Sequence, residues 1–379
     1  MMPDSRYIFA SLPWYSVLIV TGFCAAIFWG AKEEKRLRLP KDTVVDLALW
    51  VIPLGIIGAR LYYVFFAWDT FAKNPLSILY IWRGGLAIYG GIIGGFLAAF
   101  LFSRHRHISL CTILDMLTPG VLLAQAIGRW GNFFNMEAYG LPITNQALQF
   151  FPLGVQIPEN GVLVWHMATF FYESAWDLAG FVILALSRKK MRRPGDITAW
   201  YFLLYGSGRL IIEGLRLDSL MTTGGSARIS QLLSVLLCMA VYGYFAVRAL
   251  PKITGLQFLS GLFSTGAALC AALLLPRPQA AFLGYEIIYS LSVCGIMAVS
   301  VMLALSPGHT LRARFMSLLP ALAAVFTLAC RRYLTLYAPA EWVNALVLCA
   351  LFSFLLLCGA ACVYPTANAQ ETHPHLSTL

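Results

Sequence analysis

Residues 44–66 read VVDLALWVIPLGIIGARLYYVFF, an apolar run interrupted by Asp46 near its start and by Arg60 near its end. A helix of about 20 apolar residues crosses a hydrocarbon core roughly 30 Å thick. Similar runs recur along the 379 residues, of which 59% are hydrophobic and only 12% charged, and the mean hydropathy is +0.74. We therefore predict an all-α fold, a polytopic α-helical membrane protein. This composition excludes a disordered or coiled-coil chain and argues against a soluble enzyme.

The apolar runs predict eleven membrane spans, near residues 14–31, 44–66, 86–103, 112–128, 170–187, 197–215, 229–249, 257–275, 281–305, 316–337 and 341–364. Lys and Arg are concentrated in the loops that follow the odd-numbered spans, and cytoplasmic loops carry the excess of these residues. This distribution predicts an N-terminus outside the membrane. It also explains the net charge of +10 through topology, so we expect no nucleic-acid partner.

The composition of the chain changes near Pro251. Residues 1–250 are predicted to form a seven-span domain that carries arginines, acids and glycine-rich stretches inside its spans. Residues 251–364 are predicted to form an almost uniformly apolar transmembrane extension of about four spans. Residues 365–379 are polar and are predicted to be disordered.

Nine cysteines lie in or beside the apolar segments. None has the spacing of metal ligands, and their odd number argues against a disulfide framework. We therefore expect neither a metal nor a cofactor.

Six predicted spans carry polar side chains at a similar depth, toward the outer leaflet. A charged side chain at that depth is costly unless it faces protein or water, so these residues are candidates for a functional site. Arg209 and Glu213, four residues apart on one helix, are alone equally consistent with a structural ion pair. The main candidates are Tyr15, Arg60, Tyr89, Arg129, Asn132, Asn135, Glu137, Tyr172, Glu173, Arg209, Glu213 and Arg216.

Arginines outnumber glutamates in this set, and the excess predicts an anionic ligand. A guanidinium donates two parallel hydrogen bonds to a phosphate and stays charged at physiological pH. An anion reached from within the outer leaflet is most simply a phospholipid headgroup. Glycine pairs lie before and within the third span. Helix packing explains Gly94 and Gly95, but it explains Gly84 and Gly85 less well because they precede the helix.

Residues 128–140 read GRWGNFFNMEAYG and resemble the diagnostic motif of prolipoprotein diacylglyceryl transferases, G-R-x-G-N-F-x-N-x-E-x-x-G, at every fixed position. Further residues follow in the order found in that family, over roughly residues 8–250: Trp14-Tyr15, Gly84-Gly85, Gly90-Gly91, Tyr172-Glu173 and Arg209-xxx-Glu213-xx-Arg216. The resemblance implies that residues 1–250 are a seven-span diacylglyceryl transferase-like domain of the bacterial cytoplasmic membrane. The substrates it implies are phosphatidylglycerol, among the membrane lipids, and a prolipoprotein signal peptide with its lipobox cysteine. The reaction would join the diacylglyceryl group to that thiol as a thioether, the first step of lipoprotein maturation.

The resemblance also suggests roles for individual residues. Arg129, Arg209 and Tyr89 are expected to be catalytic, and the arginines would stabilise charge growing on the phosphate oxygens. Residues expected to bind substrate are Tyr15, Arg60, Asn132, Asn135, Glu137, Gly140, Glu173, Glu213 and Arg216. Asn132, Asn135 and Glu137 are expected to hold the Arg129 guanidinium in one orientation.

The identity of the general base is left open by the sequence. A free cysteine thiol has a pKa of about 8.5, so only a few per cent is thiolate at neutral pH, although nearby arginines would lower that pKa. Tyr89 stands where the family commonly has histidine, and a neutral phenol is a better hydrogen-bond donor than base. Glu137, Glu173 and His166 are the alternatives, and His166 is predicted to be a solvated residue of the loop before the fifth span.

Two other function classes are compatible with this composition. A lipid or anion transporter, such as a flippase, could use the arginines as a substrate site, but we find neither an inverted repeat nor paired broken helices. An inactive membrane scaffold is the other alternative, suggested by Tyr89 and by the added C-terminal spans.

Overall fold

The computed structural model describes residues 6–9, 12–189, 191, 193–217, 229–249 and Leu357. The domain boundary predicted near Pro251 lies outside these residues. So do the four spans predicted between 257 and 364, apart from Leu357, and the polar tail. Predictions for the C-terminal third therefore remain predictions.

The described residues are mostly helical, and a helix lies at each of the first seven predicted spans. The long helices are α1 (Trp14–Arg36), α2 (Thr43–Phe66), α4 (Ile88–Arg106), α5 (Leu110–Asn135), α6 (Thr169–Ser187), α7 (Asp196–Glu213) and α8 (Ile229–Ala249). A short helix α3 (Trp68–Phe71) and 3₁₀ turns at Pro75–Leu79, Ile81–Arg83 and Gln146–Leu148 lie in the connections. Among the described residues, five helices are long and apolar enough to cross a membrane, namely α1, α2, α4, α5 and α6.

Short strands make the all-α prediction incomplete. Strands β3 (Gly154–Glu159) and β4 (Val162–Met167) form an antiparallel hairpin where the sequence predicted only a loop. Asn160 and Gly161 join them with φ of 50° and 83°, as a two-residue hairpin turn requires. The Asn-Gly pair was a signal for this turn in the sequence. A second pair, β1 (Tyr7–Phe9) and β2 (Leu12–Pro13), precedes α1.

The described residues fall into two compact units. The motif unit contains the described residues up to Tyr15, residues 129–177 and those from Phe202 onward. The glycine unit contains Ser16–Gly128 and Leu178–Tyr201.

Helices α2 and α4 of the glycine unit cross at backbone contact. A Cβ atom added to Gly58 or Gly90 would collide with a carbonyl oxygen of the other helix, and one added to Gly94 would collide with the carbonyl of Leu54. Gly90 and Gly94 are one helical turn apart, so together they form the face that meets α2. Gly95 only approaches a Val51 methyl group, at 3.7 Å. Close packing therefore explains Gly94, as predicted. It places little constraint on Gly95, for which packing was also the predicted explanation.

Buried carboxylates cap two helix N-termini in the glycine unit. Glu34 accepts hydrogen bonds from the backbone of Asp42 and Val44, both at 2.9 Å, where α2 begins. Asp115 accepts the backbone N–H groups of Gly195 (2.6 Å) and Thr198 (2.8 Å), where α7 begins. Helix N-termini leave N–H groups without intrahelical partners and favour negative charge. These buried acids therefore hold neighbouring helices together.

The crossing of α2 and α4 yields a matched test. Alanine at Gly94 must displace the Leu54 carbonyl, whereas alanine at Gly95 meets only a side chain at ordinary contact distance. Both changes give the same gain in helix propensity. We expect Gly94→Ala to destabilise the protein by about 1–3 kcal/mol. Gly95→Ala should have no effect or raise stability. Thermal unfolding in one detergent compares the two variants, and equal shifts would show that the helices do not meet at Gly94.

Candidate functional site

The motif residues 128–140 form the end of α5 and the turn that leaves it. The helix continues to Asn135, so Arg129 lies in its last two turns and not in an exit loop, as the predicted span end at 128 implied. Met136 is left-handed, with φ of 52°, and donates to the Phe133 carbonyl at 3.1 Å. Glu137 donates to the Asn132 carbonyl, also at 3.1 Å. This pair of bonds is the Schellman helix ending, and it satisfies carbonyls that would otherwise lack partners.

Two motif glycines make room for neighbours. A Cβ atom on Gly131 would lie 2.6 Å from the ring of Tyr15, whose neighbour Trp14 stacks on Phe134. A Cβ atom on Gly140 would lie within 3.0 Å of both Met167 and Thr169. Gly140 therefore acts through close packing in the structure, although the sequence placed it among the substrate-binding residues.

Backbone pairing connects the motif turn to the hairpin and to the chain after α7. Gly140 donates to the Met167 carbonyl at 2.9 Å, and Leu141 donates to the Leu215 carbonyl at 3.1 Å. Thr169 bonds the Ala138 carbonyl through its hydroxyl at 2.5 Å. The segment that follows Glu137 is thus fixed on two sides, and the end of α5 with it.

Glu173 of α6 brings two arginines together. Its Oε1 lies 2.5 Å from Nη2 of Arg129, on α5, and 3.1 Å from Nη1 of Arg209, on α7. Its Oε2 also accepts from Arg209, at 3.2 Å. The Glu173 side chain is only 4% exposed, whereas those of Arg129 and Arg209 are 20% and 15% exposed. One buried carboxylate therefore fixes two partly accessible guanidinium groups side by side.

The ion pairs continue along α7. Arg209 Nη2 lies 2.7 Å from Glu213, and Nη1 of Arg216 lies 4.0 Å from the same Glu213 oxygen. The series therefore alternates Arg129, Glu173, Arg209, Glu213 and Arg216. It contains three arginines and two glutamates, so these five side chains carry a net positive charge.

Asp177 is a residue that the sequence reasoning missed. It lies one turn after Glu173 on α6, is 1% exposed, and is close enough to Arg209 and Tyr205 to interact with them electrostatically. Its Oδ2 has no hydrogen-bond partner in the described part of the chain. The signal was present in the sequence as an acid in an apolar span, four residues after Glu173 on the same helix face.

The two motif asparagines hold Glu137. Both side-chain amides donate to Glu137 Oε1, from Asn135 at 3.1 Å and from Asn132 at 3.4 Å. Arg6 donates to the Asn135 side-chain oxygen at 3.1 Å. These residues therefore form a cluster of their own, and the carboxylate that orients Arg129 is Glu173.

His166 is not a solvated loop residue, so that prediction was wrong. It lies in β4 with 2% exposure, since its ring packs edge-on against Tyr139. Its Nδ1 is 2.9 Å from the Gly140 carbonyl, and its Nε2 is 3.1 Å from a carboxylate oxygen of Glu159. The unpredicted hairpin is the physical reason, because pairing with β3 turns this side chain inward.

The remaining candidates, Arg60 and Tyr89, belong to the glycine unit. Arg60 is 6% exposed and donates to backbone carbonyls of the connection between α2 and α4. Tyr89 is the second residue of α4, is half-buried, and has its ring 6.3 Å from that of Tyr62. Within the described ranges, no group of three His, Cys, Asp or Glu side chains is arranged to hold a metal ion.

Comparison with known proteins agrees with the motif. The family model for prolipoprotein diacylglyceryl transferase matches residues 6–247. A phosphatidylglycerol–prolipoprotein diacylglyceryl transferase of Enterococcus faecalis is 46% identical over 239 residues, which cover 62% of this chain and 86% of that protein. Proteins of the same name from Streptococcus mutans and Halalkalibacterium halodurans are 46% and 43% identical. The match to the Streptococcus mutans protein covers 60% of this chain and 87% of that protein. The match to the Halalkalibacterium halodurans protein covers 59% of this chain and 78% of that protein. Because the family model matches well over half of the residues, the chain belongs to the prolipoprotein diacylglyceryl transferase family.

Proposed function

We propose that this protein transfers the diacylglyceryl group of phosphatidylglycerol to the thiol of the lipobox cysteine of a prolipoprotein, forming a thioether. The observation that carries the proposal is the buried Glu173 with Arg129 and Arg209 on either side, built on the family motif. The names of the relatives supply the two substrates, phosphatidylglycerol and a prolipoprotein.

The protein is a multi-pass membrane protein, and we propose a bacterial cytoplasmic membrane with seven spans up to residue 249. The five long apolar helices of the described residues support this arrangement. The proposed orientation, with the N-terminus outside, is supported by the basic loops after the odd-numbered spans. In that orientation the motif end of α5 faces the outer leaflet, where a secreted prolipoprotein would present its cysteine.

In the proposed reaction the sulfur attacks the glyceryl carbon that is esterified to phosphate. The new S–C bond replaces the C–O bond, the thiol proton passes to a base, and glycerol phosphate leaves. Negative charge grows on the phosphate oxygens as the C–O bond breaks. Arg129 and Arg209 would stabilise that charge, and removing one preorganised donor of this kind typically costs about 3–4 kcal/mol in the barrier.

Glu173 has a second part in this proposal. It holds both guanidinium groups in place before a lipid arrives, so little reorganisation is needed when phosphate binds. A guanidinium has five N–H donors, and the ion pairs of Arg129 and Arg209 with carboxylates use only part of them. The N–H donors that remain on Arg129 and Arg209 favour an anion beside the two carboxylates.

The other proposed contacts are secondary to this pair. Tyr89 would donate a hydrogen bond to the phosphate or the thiol. Among the candidate bases, His166 is the least suited because it is buried and bonded to Gly140, whereas Glu137 is exposed at the end of α5. Tyr15, Asn132, Asn135 and Arg216 would line the substrate path around that helix end.

A reconstituted assay tests the proposed function. Purified full-length protein in phosphatidylglycerol vesicles is incubated with a lipobox peptide, and mass spectrometry follows the peptide. We expect the mass of one diacylglyceryl group on its cysteine, and no product from a peptide with serine at that position. Binding of phosphatidylglycerol without product would instead favour a transporter or an inactive scaffold.

Arg129→Lys separates charge from geometry. Lysine keeps the positive charge, but it lacks the planar set of N–H donors with which a guanidinium can bind Glu173 and a phosphate at the same time. We expect the transfer rate to fall by about 100-fold or more, while phosphatidylglycerol still binds. Arg106→Lys, at the surface pair with Asp46, is the matched control and should keep the rate. A well-folded Arg129→Lys protein with a wild-type rate would leave Arg209 as the main phosphate ligand.

Residues 251–379 are expected to be accessory. Their predicted spans carry almost no polar groups for chemistry, and the family match ends at residue 247. A chain ending at Leu250 should insert into membranes and retain transferase activity in the same assay. A truncated protein that elutes as a single folded species but forms no product would place essential residues in the extension.

A further inference from the structure

The connection between α2 and α4 folds back alongside α2. After Phe66 the chain passes through α3 and two 3₁₀ turns to Gly84 and Gly85. Ala87 then donates its backbone N–H to the carbonyl of Ala59, at 3.0 Å. Ala59 lies seven residues before the end of α2, or about 10 Å along the helix axis. The connection, residues 67–87, therefore returns well below the end of α2 before α4 begins.

Residues 76–82 of this connection expose large apolar side chains, whereas the exposed residues before them include polar ones. Leu76, Leu79 and Trp82 are 67%, 68% and 74% exposed. Large apolar side chains on the outside, next to membrane helices, indicate that residues 76–82 face lipid more than water. Non-helical backbone at membrane depth is tolerated only where its polar groups find partners within the protein. The carbonyl groups of this connection therefore need donors.

Arg60 supplies those donors. Its Nε donates to the Ile78 carbonyl (2.8 Å) and its Nη2 to the Ser77 carbonyl (2.8 Å). Its Nη1 donates to both Gly84 (2.7 Å) and Gly85 (3.0 Å). The guanidinium also lies 5.0 Å from the centre of the Phe71 ring. One side chain thus joins two stretches of the connection, residues 77–78 and residues 84–85, to α2.

The two glycines make this geometry possible. Gly84 and Gly85 have φ of 86° and 76°, a left-handed conformation that favours glycine. A Cβ atom on Gly85 would lie 2.6 Å from Arg60 Nη1 and 2.7 Å from the Tyr63 ring. Both carbonyls can therefore point at one nitrogen. This explains the glycine pair that helix packing left unexplained.

The same hydrogen bonds argue against a lipid phosphate at Arg60. A guanidinium has five N–H donors, and the four carbonyl bonds use the one on Nε, both on Nη1 and one on Nη2. A bidentate phosphate needs two donors, so it could bind only by displacing one of these backbone carbonyls. Arg60 therefore differs from Arg129 and Arg209, whose partners are carboxylates.

We propose that Arg60 is a positioning residue that holds residues 77–85 against α2 and thereby sets the position of Tyr89 in the first turn of α4, and that it does not bind the lipid phosphate. The proposal rests on the proposed transferase function for its kinetic consequences. The contact itself does not depend on that function. Only Leu86 and Ala87 lie between Gly85 and Ile88, the start of α4, so movement of the glycine pair would be transmitted to Tyr89.

The test combines kinetics with hydrogen exchange on the full-length protein. Arg60→Lys, Tyr89→Phe and the double variant are compared in phosphatidylglycerol vesicles, with Arg106→Lys as the matched arginine control. We expect Arg60→Lys to lower kcat about tenfold or more and to leave KM for phosphatidylglycerol within about twofold, since a lysine cannot reach both pairs of carbonyls. Adding Tyr89→Phe to Arg60→Lys should then lower kcat by a smaller factor than Tyr89→Phe does in the wild type, because both substitutions act through the position of the Tyr89 side chain.

Hydrogen exchange separates a local effect from general loss of structure. In Arg60→Lys, amides of residues 75–87 should exchange faster, while those of residues 96–106 should not change. A raised KM with preserved kcat, independent effects of the two substitutions, or unchanged exchange in residues 75–87 would each overturn the proposal. Faster exchange throughout the protein would also overturn it. An inactive wild type would contradict the transferase function, whereas the exchange measurement would still decide whether Arg60 holds the connection.

Discussion

The carboxylate of Glu173 between Arg129 and Arg209 is the interaction on which the candidate site depends. Charges inside membrane helices are costly unless they are paired or face water, so each arginine needs a partner to remain at this depth. Glu173 provides it for α5 and α7 from its place on α6. Removing this one side chain would take away the carboxylate paired with Arg129 and would leave Arg209 paired with Glu213. The same contact therefore joins three helices and preorganises the two groups proposed to act on phosphate.

Arginine serves two different purposes in this protein, and the type of partner distinguishes them. Arg129 and Arg209 bind carboxylates, and a phosphate can share such an arginine because it is also an anion. Arg60 binds backbone carbonyls. A backbone carbonyl that loses its donor at a lipid-facing surface is left without a hydrogen bond, so exchanging these partners for a phosphate would cost Arg60 free energy. We therefore propose a chemical role for Arg129 and Arg209 and a positioning role for Arg60.

The β3–β4 hairpin and the motif turn are hydrogen-bonded to each other around the end of α5. His166 reaches from β4 to the Gly140 carbonyl, and Gly140 in turn lies against Thr169 at the start of α6. A turn that only followed a helix would be free to move with its loop. Here the turn is bonded on one side to the hairpin and on the other to the residues after α7. The motif residues proposed to contact substrate are accordingly held by backbone bonds as well as by side chains.

The sequence by itself determined the helical membrane class, the positions of the helices up to residue 249 and the family motif, because apolar length and motif spacing are properties of contiguous residues. It also brought Arg129, Glu173 and Arg209 into one list of candidates. Only the tertiary structure decided which acid pairs with which arginine, that His166 is buried, that Asp177 belongs beside this cluster and that Arg60 binds backbone. These outcomes depend on contacts between segments far apart in the chain, such as Arg129 with Glu173 and Arg60 with Gly84. Hydropathy and spacing carry no information about which distant partner satisfies a buried charge.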